Sequence, residues 1–403
     1  MNAVVDGLGG LGKALWRRLP RGLRRAGMTR LSAALAPKPD RVPPGLSDGV
    51  IVAGDMAGSS GLAESARILH QVIAGHGLAR GVLPLGRPGF VDMQLTPLPP
   101  GAALLAVVNA PILPPALLRL KRGALRGRRV IGFWAWELPV VPPGWAEGAR
   151  FVHEIWACSR FTADAMEALA PGRVRAVPYP IAATALPTEG SRADFGLADD
   201  VFVVTTIFNL ASSLVRKNPL GAIAAFKAAF GNRRDYVFVL KLSHVEAYPE
   251  DVALIRAAIG EAVNIRLMTE TIPEVLLRGL IRASDVVLSL HRAEGFGLIP
   301  ATAMLLGRAV VATGWSGNMD FMTPETAGLV PYRLVAAHDP RGTYALGGAQ
   351  WAEPDVEAAA MLLRRLADDA AGRAAMAAAG QLYAREKLGA APLLAALQAA
   401  GVA

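Results

Sequence analysis

Cysteine is almost absent from this 403-residue chain: Cys158 is the only one, so no internal disulfide can form and a reducing compartment is expected. Long apolar runs are absent as well. The best candidate, Gly101 to Leu118, is interrupted by Asn109, Pro111, Pro114 and Pro115, which excludes a membrane-spanning helix there. The N-terminus lacks the apolar core of a signal peptide. Together these absences predict a cytoplasmic protein. Metal-ligand spacing is missing too. His70, His76, His153, His244, His291 and His338 form no H-E-x-x-H pattern, and His153-Glu154 has no second histidine at position 157. No Gly-Lys-Ser phosphate loop, G-x-S-x-G elbow or catalytic-cysteine context appears.

Acid is missing from one stretch. Between Asp6 and Asp40 no carboxylate interrupts Lys13, Arg17, Arg18, Arg21, Arg24, Arg25 and Arg30, so the formal charge of +9 is concentrated at one end. Leu8, Leu11, Leu15, Leu19 and Leu23 recur at three- and four-residue steps, which would give a helix an apolar stripe beside basic flanks, kinked or split at Pro20. Two readings stand: a segment lying on an anionic membrane surface, or a flexible basic leader. Nucleic acid is not an expected partner, because no aromatic stacking platform or DNA-reading motif accompanies the charge. The leader also holds Gly7-Leu-Gly9-Gly10-Leu-Gly12, which satisfies the G-x-G-x-x-G dinucleotide pattern. Its preceding strand would be only Ala3 to Val5, and no acid for a ribose lies about 20 residues on, so a dehydrogenase site is not supported.

What is present describes an ordered α/β protein. Apolar residues make up 53% and charged residues 19%, and the length suits two domains better than one core. Strands are expected at Val50–Ala53, Leu104–Val108, Val130–Trp134 and Phe151–Ala157, then at Val201–Thr206, Tyr236–Leu242, Asn264–Leu267, Asp285–Leu290 and Ala309–Thr313. Helices are expected at Leu62–Gly75, Phe161–Ala170 (capped by Ser159), Leu220–Phe230, Pro249–Ile259, Ile272–Ala283 and Leu298–Leu306. Val177-Pro-Tyr-Pro-Ile181 reads as a domain boundary. The alternation on both sides of it predicts two Rossmann-like parallel-sheet domains facing a cleft, with a helical C-terminal segment. The expected divisions are a leader over 1–44, an N-terminal domain over 45–180, a C-terminal domain over 181–375, and terminal helices over 376–403 packing back on the N-terminal domain. The Ala/Leu-rich helices from Asp355 onward have no evident strand partners, and no short-period repeat is seen.

Residues 291–321 are the most informative. A buried strand ending at His291 runs into a glycine-bearing turn with one carboxylate, Glu294; a helix begins near Gly297, since Pro300 fits only a first turn. The strand Ala309–Thr313 ends in a second Gly/Ser/Asn turn. Two adjacent strand ends of this kind make an anion and sugar site at the carboxyl edge of a parallel sheet.

These pieces resemble a family-4, retaining, nucleotide-sugar-dependent glycosyltransferase of the GT-B fold, over roughly residues 50–380. The resemblance rests on Glu294-Gly-Phe-Gly-Leu298, Ala312-Thr-Gly-Trp-Ser-Gly-Asn-Met-Asp-Phe321 and Arg216-Lys-Asn-Pro219. It is supported by Ser60-Gly-Leu-Ala-Glu-Ser-Ala-Arg67, Ile131-Gly-Phe-Trp-Ala-Trp-Glu137 and Trp351-Ala-Glu-Pro-Asp-Val-Glu357. It implies sugar transfer from a nucleotide sugar to a saccharide or lipid-linked acceptor, with no metal and no other cofactor.

The residue types suit that chemistry. A departing diphosphate gains charge as the glycosidic bond breaks, and Arg216 and Lys217 can meet it, the arginine bidentately. The resemblance gives Glu294 the sugar hydroxyls, as the first acid of a Glu-x7-Glu motif, and counts Arg216, Lys217 and Glu294 as catalytic. A plainer reading pairs Glu294 with neighbouring Arg292. Gly295 and Gly297 would let a donor approach the backbone beside the helix start, with Phe296 and Leu298 in the same loop. Where the second acid of that motif belongs, this chain has Thr302, whose hydroxyl can reach a ribose without a charge-assisted bond. That departure keeps a second reading open, a noncatalytic nucleotide-sugar binding or scaffold protein. Lys241, Ser316, Gly317 and Asn318 are further donor-site candidates. Gly58, Ser60 and Gly61 after the first strand, and Glu137 beside Trp134 and Trp136, are candidates for acceptor or cleft loops.

Overall fold

The computed structural model describes residues 31–85 and 98–403. The basic stretch of the leader and its glycine pattern lie outside the described residues. The chain divides into two units. The first takes the described residues of 1–135, 141–180 and 391–403; the second takes Trp136–Val140 and Ile181–Ala390.

The first unit holds a six-stranded parallel sheet in the order β2-β1-β3-β4-β5-β6. Its strands are β1 (Val50–Gly54), β2 (Ala79–Pro84), β3 (Ala103–Val107), β4 (Val130–Trp134), β5 (Glu154–Ala157) and β6 (Val174–Ala176). The central strands β1, β3 and β4 are buried along their whole length, as expected of strands covered on both faces. Helix α1 (Gly61–Gly75) follows β1; α2 (Leu113–Leu117), α3 (Trp145–Ala149) and α4 (Arg160–Met166) follow later strands. From Asp40 on, the segment expected to belong to the leader is tied down. The Asp40 carboxylate accepts from the Gly127 amide at 2.6 Å and its carbonyl meets His153 Nε2 at 2.9 Å, while Arg129 donates to the Pro44 carbonyl at 3.0 Å.

The second unit repeats the plan: six parallel strands ordered β12-β11-β10-β7-β8-β9. They are β7 (Phe202–Asn209), β8 (Tyr236–Ser243), β9 (Ile265–Met268), β10 (Val286–Ser289), β11 (Ala309–Thr313) and β12 (Gly328–Val330). Between them run α5 (Leu214–Lys217), α6 (Pro219–Phe230), α7 (Pro249–Ile259), α8 (Glu274–Ala283) and α9 (Leu298–Leu305). The order reverses between β7 and β10, which register as Val204 beside Val286 and Thr205 beside Val287. Loops at such a reversal leave the sheet in opposite directions and open a crevice at its carboxyl edge.

Three expectations are corrected. The helices from Asp355 onward, expected to have no strand partners, do have one, and they follow an antiparallel pair that was not expected, β13 (Tyr332–Ala336) and β14 (Gln350–Pro354). Beyond it α10 (Val356–Asp368) and α11 (Ala370–Lys387) pack against β11. The terminal piece grouped with the first unit is shorter than 376–403: only Ala391–Ala403, carrying α12 (Ala391–Ala399), belongs there. It is held by Ser47 and Ala403, whose backbones exchange bonds with Gly401 and Ser47 at 2.7 and 3.0 Å. Finally, Trp136–Val140, expected in the N-terminal domain, is part of the second unit.

Candidate active site

Three loops of the second unit meet at the β7/β10 reversal. The chain leaving β7 turns through Ser213 (φ 74°), forms the single turn α5, and passes Asn218 (φ 50°) into α6. Ser213 Oγ accepts from the Arg216 amide at 3.3 Å, and Asn218 donates to the Leu290 carbonyl at 3.0 Å. These bonds fix Arg216 and Lys217 against the chain that leaves β10. The Arg292 amide completes the junction by donating to the Arg216 carbonyl at 2.7 Å.

Glu294 lies in the loop after β10 and is ion-paired with both cations: Lys217 Nζ contacts Oε1, and Arg216 Nη1 contacts Oε2 at 3.3 Å. It does not pair with Arg292, which instead binds Glu353 of β14 at 2.6 and 2.9 Å. Burial alone would raise the Glu294 carboxyl, but the Lys217 ammonium and then the Arg216 guanidinium overcome it and hold it at about 2. Burial lowers the Lys217 ammonium below its ordinary value, with Arg216 adding repulsion and Glu294 opposing both. Arg216 is 3% exposed and moves the other way: its surrounding acceptors outweigh burial. Its Nε donates to the Ser212 carbonyl at 3.1 Å and its Nη1 to the Ala293 carbonyl at 2.7 Å. Glu137 is the second carboxylate, 3.8 Å from Arg216 Nη2.

The loop after β11 supports this cluster. Ser316 (φ 81°) accepts from the Glu294 amide at 2.9 Å, and the Gly317 amide donates to the Glu294 carbonyl at 2.9 Å. A Cβ on Gly317 would stand 2.1 Å from the Gly295 carbonyl oxygen, and one on Gly295 would stand 2.9 Å from that of Trp136. Glycine at these two positions is therefore required by loop-on-loop packing, not only by the approach of a ligand. Gly297 is needed for another reason: it enters α9 at φ 100°. Asn318 is fully buried, bonded to the Thr313 carbonyl at 3.0 Å and facing His291 Nε2 at 3.1 Å. His291 is buried as well, which lowers its basicity.

The remaining candidates are less central. Phe296 turns its ring onto Phe321, with centroids 5.0 Å apart. Leu298 opens α9 and Thr302 stands one turn into it, partly exposed. Lys241 is buried near the end of β8 and folds back onto the Leu242 carbonyl at 2.7 Å; burial lowers its ammonium, against the pull of Glu270. Gly58, Ser60 and Gly61 belong to the first unit. Ser60 caps α1 through the Ala63 amide at 3.2 Å, and Asp55 accepts from the Gly58 amide at 2.9 Å. Sequence reasoning missed Ser213, Asp339 and Tyr344. A lone tyrosine in the stretch 338–349, which holds three glycines and one proline, was the available signal. Among the described residues no group of three or more His, Cys, Asp or Glu side chains is arranged to hold a metal ion.

No protein-family model matches the chain, and no curated protein matches it in sequence. Solved structures do. HepE from Anabaena, with UDP and glucose, matches with a TM-score of 0.60 at 14% identity, covering 87% of this chain and 98% of its own. This chain has a GT-B, glycosyltransferase group 1-type fold. A glycosyltransferase from Rickettsia africae matches with a TM-score of 0.62 at 12% identity over 88% and 98% of the two chains. Sucrose-phosphate synthase from Thermosynechococcus elongatus gives 0.64 at 15% identity over 87% and 98%.

Proposed function

We propose that this chain is a retaining glycosyltransferase that moves a sugar from a nucleoside diphosphate sugar to a saccharide or lipid-linked acceptor, in surface polysaccharide synthesis. The observation that carries the reading is the ionised cluster of Arg216, Lys217 and Glu294 at the β7/β10 reversal. Two cations there can take up the charge of a leaving diphosphate, aided by the amides at the start of α9, with no metal required. A carboxylate held ionised can accept hydrogen bonds from sugar hydroxyls and offset positive charge at the anomeric carbon. The leaving phosphate oxygen takes the acceptor's proton on the same face. HepE, with the same fold, binds UDP-glucose, which supports a nucleotide sugar as donor.

The test is a thermal-shift series with UDP, GDP, ADP and their common sugar conjugates. A selective upward shift supports the donor site and names the nucleotide; no shift with any of them, in the wild type or in any variant of the site, overturns it. Thr302 favours a second reading, a nucleotide-sugar binding or scaffold protein without turnover. Wild-type turnover refutes that reading, whereas turnover appearing only in Thr302→Glu supports it. We propose further that the basic leader holds the protein at the inner, anionic face of a membrane. Among the described residues no helix is long and apolar enough to cross one. Deleting residues 1–30 should abolish binding to anionic vesicles, and undiminished binding would refute the attachment.

A further inference from the structure

The turn that carries Arg216 and Lys217 is covered by the loop joining β13 to β14, residues 337–349. Buried Asp339 accepts from Ser213 Oγ at 3.2 Å and from the amides of Thr343 and Tyr344 at 2.8 and 3.2 Å. Arg341 donates to the Leu210 carbonyl at 2.6 Å, pairs with Asp251 and lies over the Tyr248 ring. Tyr344 is 6% exposed; its ring centroid is 5.5 Å from the Arg216 guanidinium and 5.5 Å from that of Trp136. Its hydroxyl donates to Glu137 Oε2 at 3.1 Å. The loop is thus bolted to the cation-bearing turn at three points.

The Arg216 guanidinium is used unevenly. Nε and Nη1 bind the frame, through Ser212, Ala293 and Glu294. Nη2 faces Glu137 Oε1 at 3.8 Å, an ion pair too long for a hydrogen bond. The Glu137 carboxylate is held by Tyr344 and not by the arginine it compensates. A buried guanidinium needs a counter-charge, and Nη2 is the nitrogen through which this one can meet a phosphate oxygen.

We propose that Glu137 is a place-holder for a donor phosphate oxygen at Arg216, and that Tyr344 is the positioning residue that keeps it there. The pair sets the affinity for a nucleoside diphosphate, an inference that rests on the transferase reading above. Carboxylate and diphosphate carry like charge and compete for one cation. The diphosphate enters as Glu137 swings aside and gives up the Tyr344 bond.

The test is a calorimetric titration of the full chain with UDP, GDP and ADP, using wild type, Glu137→Gln, Tyr344→Phe and the double variant. Glu137→Gln should bind the preferred nucleotide about tenfold tighter, because a like charge has gone from the phosphate position. Tyr344→Phe keeps the ring's tilted contact with Trp136 and its place against Arg216, and should shift affinity in the same direction by a smaller factor. The double variant should bind no tighter than Glu137→Gln, since the hydroxyl acts through the carboxylate. A purely structural role for either residue predicts weaker or unchanged binding instead. Equal or weaker binding by Glu137→Gln, while wild type binds, overturns the place-holder and leaves the transferase reading standing. Binding by Glu137→Gln alone supports it. Failure of every protein to bind overturns both.

Discussion

At the carboxyl edge of the first sheet, the loop after β1 closes on itself. Asp55 accepts from the amides of Ala57 and Gly58, Ser60 caps α1, and Arg67 reaches back to the carbonyls of Met56 and Gly58 while pairing with Glu64. At the corresponding edge of the second sheet, the loops after β7 and β10 are joined by charges 77 and 78 residues apart in sequence. Backbone strain follows the same division. All four non-glycine residues with positive φ among those described, Ser213, Asn218, His244 and Ser316, lie in loops leaving the carboxyl edge of the second sheet, and none in the loop after β1. Each such residue costs about 1–3 kcal/mol, so it survives only where its surroundings over-determine it. One strand-edge plan thus yields a self-satisfied polar turn in one unit and a strained, ionised cluster in the other.

The sharpest way to break the contrast is to remove the shared cation. Arg216→Ala leaves two carboxylates facing an unfilled buried site and should destabilise the second unit by about 3–5 kcal/mol. It should also abolish nucleotide binding; urea unfolding and calorimetry read the two effects separately. Glu294 gives a pH signature of the second edge. Its carboxyl is depressed on folding, so its stabilisation is complete above the unfolded value near 4.5 and is lost as pH falls towards about 2. The span corresponds to about 3 kcal/mol. Glu294→Gln should flatten unfolding free energy across that window and cut turnover by about 100-fold or more; an unchanged acid slope would refute the pairing. The smallest effect tests the first edge. In Gly58→Ala the new Cβ would fall 2.1 Å from Asp55 Oδ2, so the Asp55 turn must rearrange, at about 1–2 kcal/mol. Nucleotide affinity in that variant should stay within twofold, and a larger loss would show that the first edge contributes to the same site.

Much of the fold was legible because the central strands are nearly pure apolar runs. Val130–Trp134, Ala309–Thr313 and helix Pro249–Ile259 fall on their expected bounds. The missed strands are those whose existence depends on a neighbour. β2 carries Arg80, Gly81 and Pro84, β6 is three residues long, and β13 is mostly exposed; edge strands of this kind have no pattern of their own. In the candidate site, the meeting of Arg216, Lys217 and Glu294 was readable because glycine, proline and charge punctuate a strand–turn–helix frame. Tyr344 was not, because its role comes from Glu137, Trp136 and Arg216 meeting it from distant parts of the chain. Gly295 and Gly317 were singled out, but the packing that demands glycine became visible only when the two loops touched.

The way the chain threads between its units bears on how it is made. A nascent chain that has reached Lys387 contains every strand of both sheets. It still lacks Ala391–Ala403, whose last residues bond Ser47 and Gly49 beside the first strand. The second unit is contiguous apart from Trp136–Val140 and can assemble as soon as it clears the ribosome. The first unit, although begun earlier, stays open along one margin until Ala391–Ala403, which follows the second unit in sequence, returns to close it. Synthesis order and completion order are therefore reversed, and a cut between Leu388 and Ala391 would wound the N-terminal half of the protein.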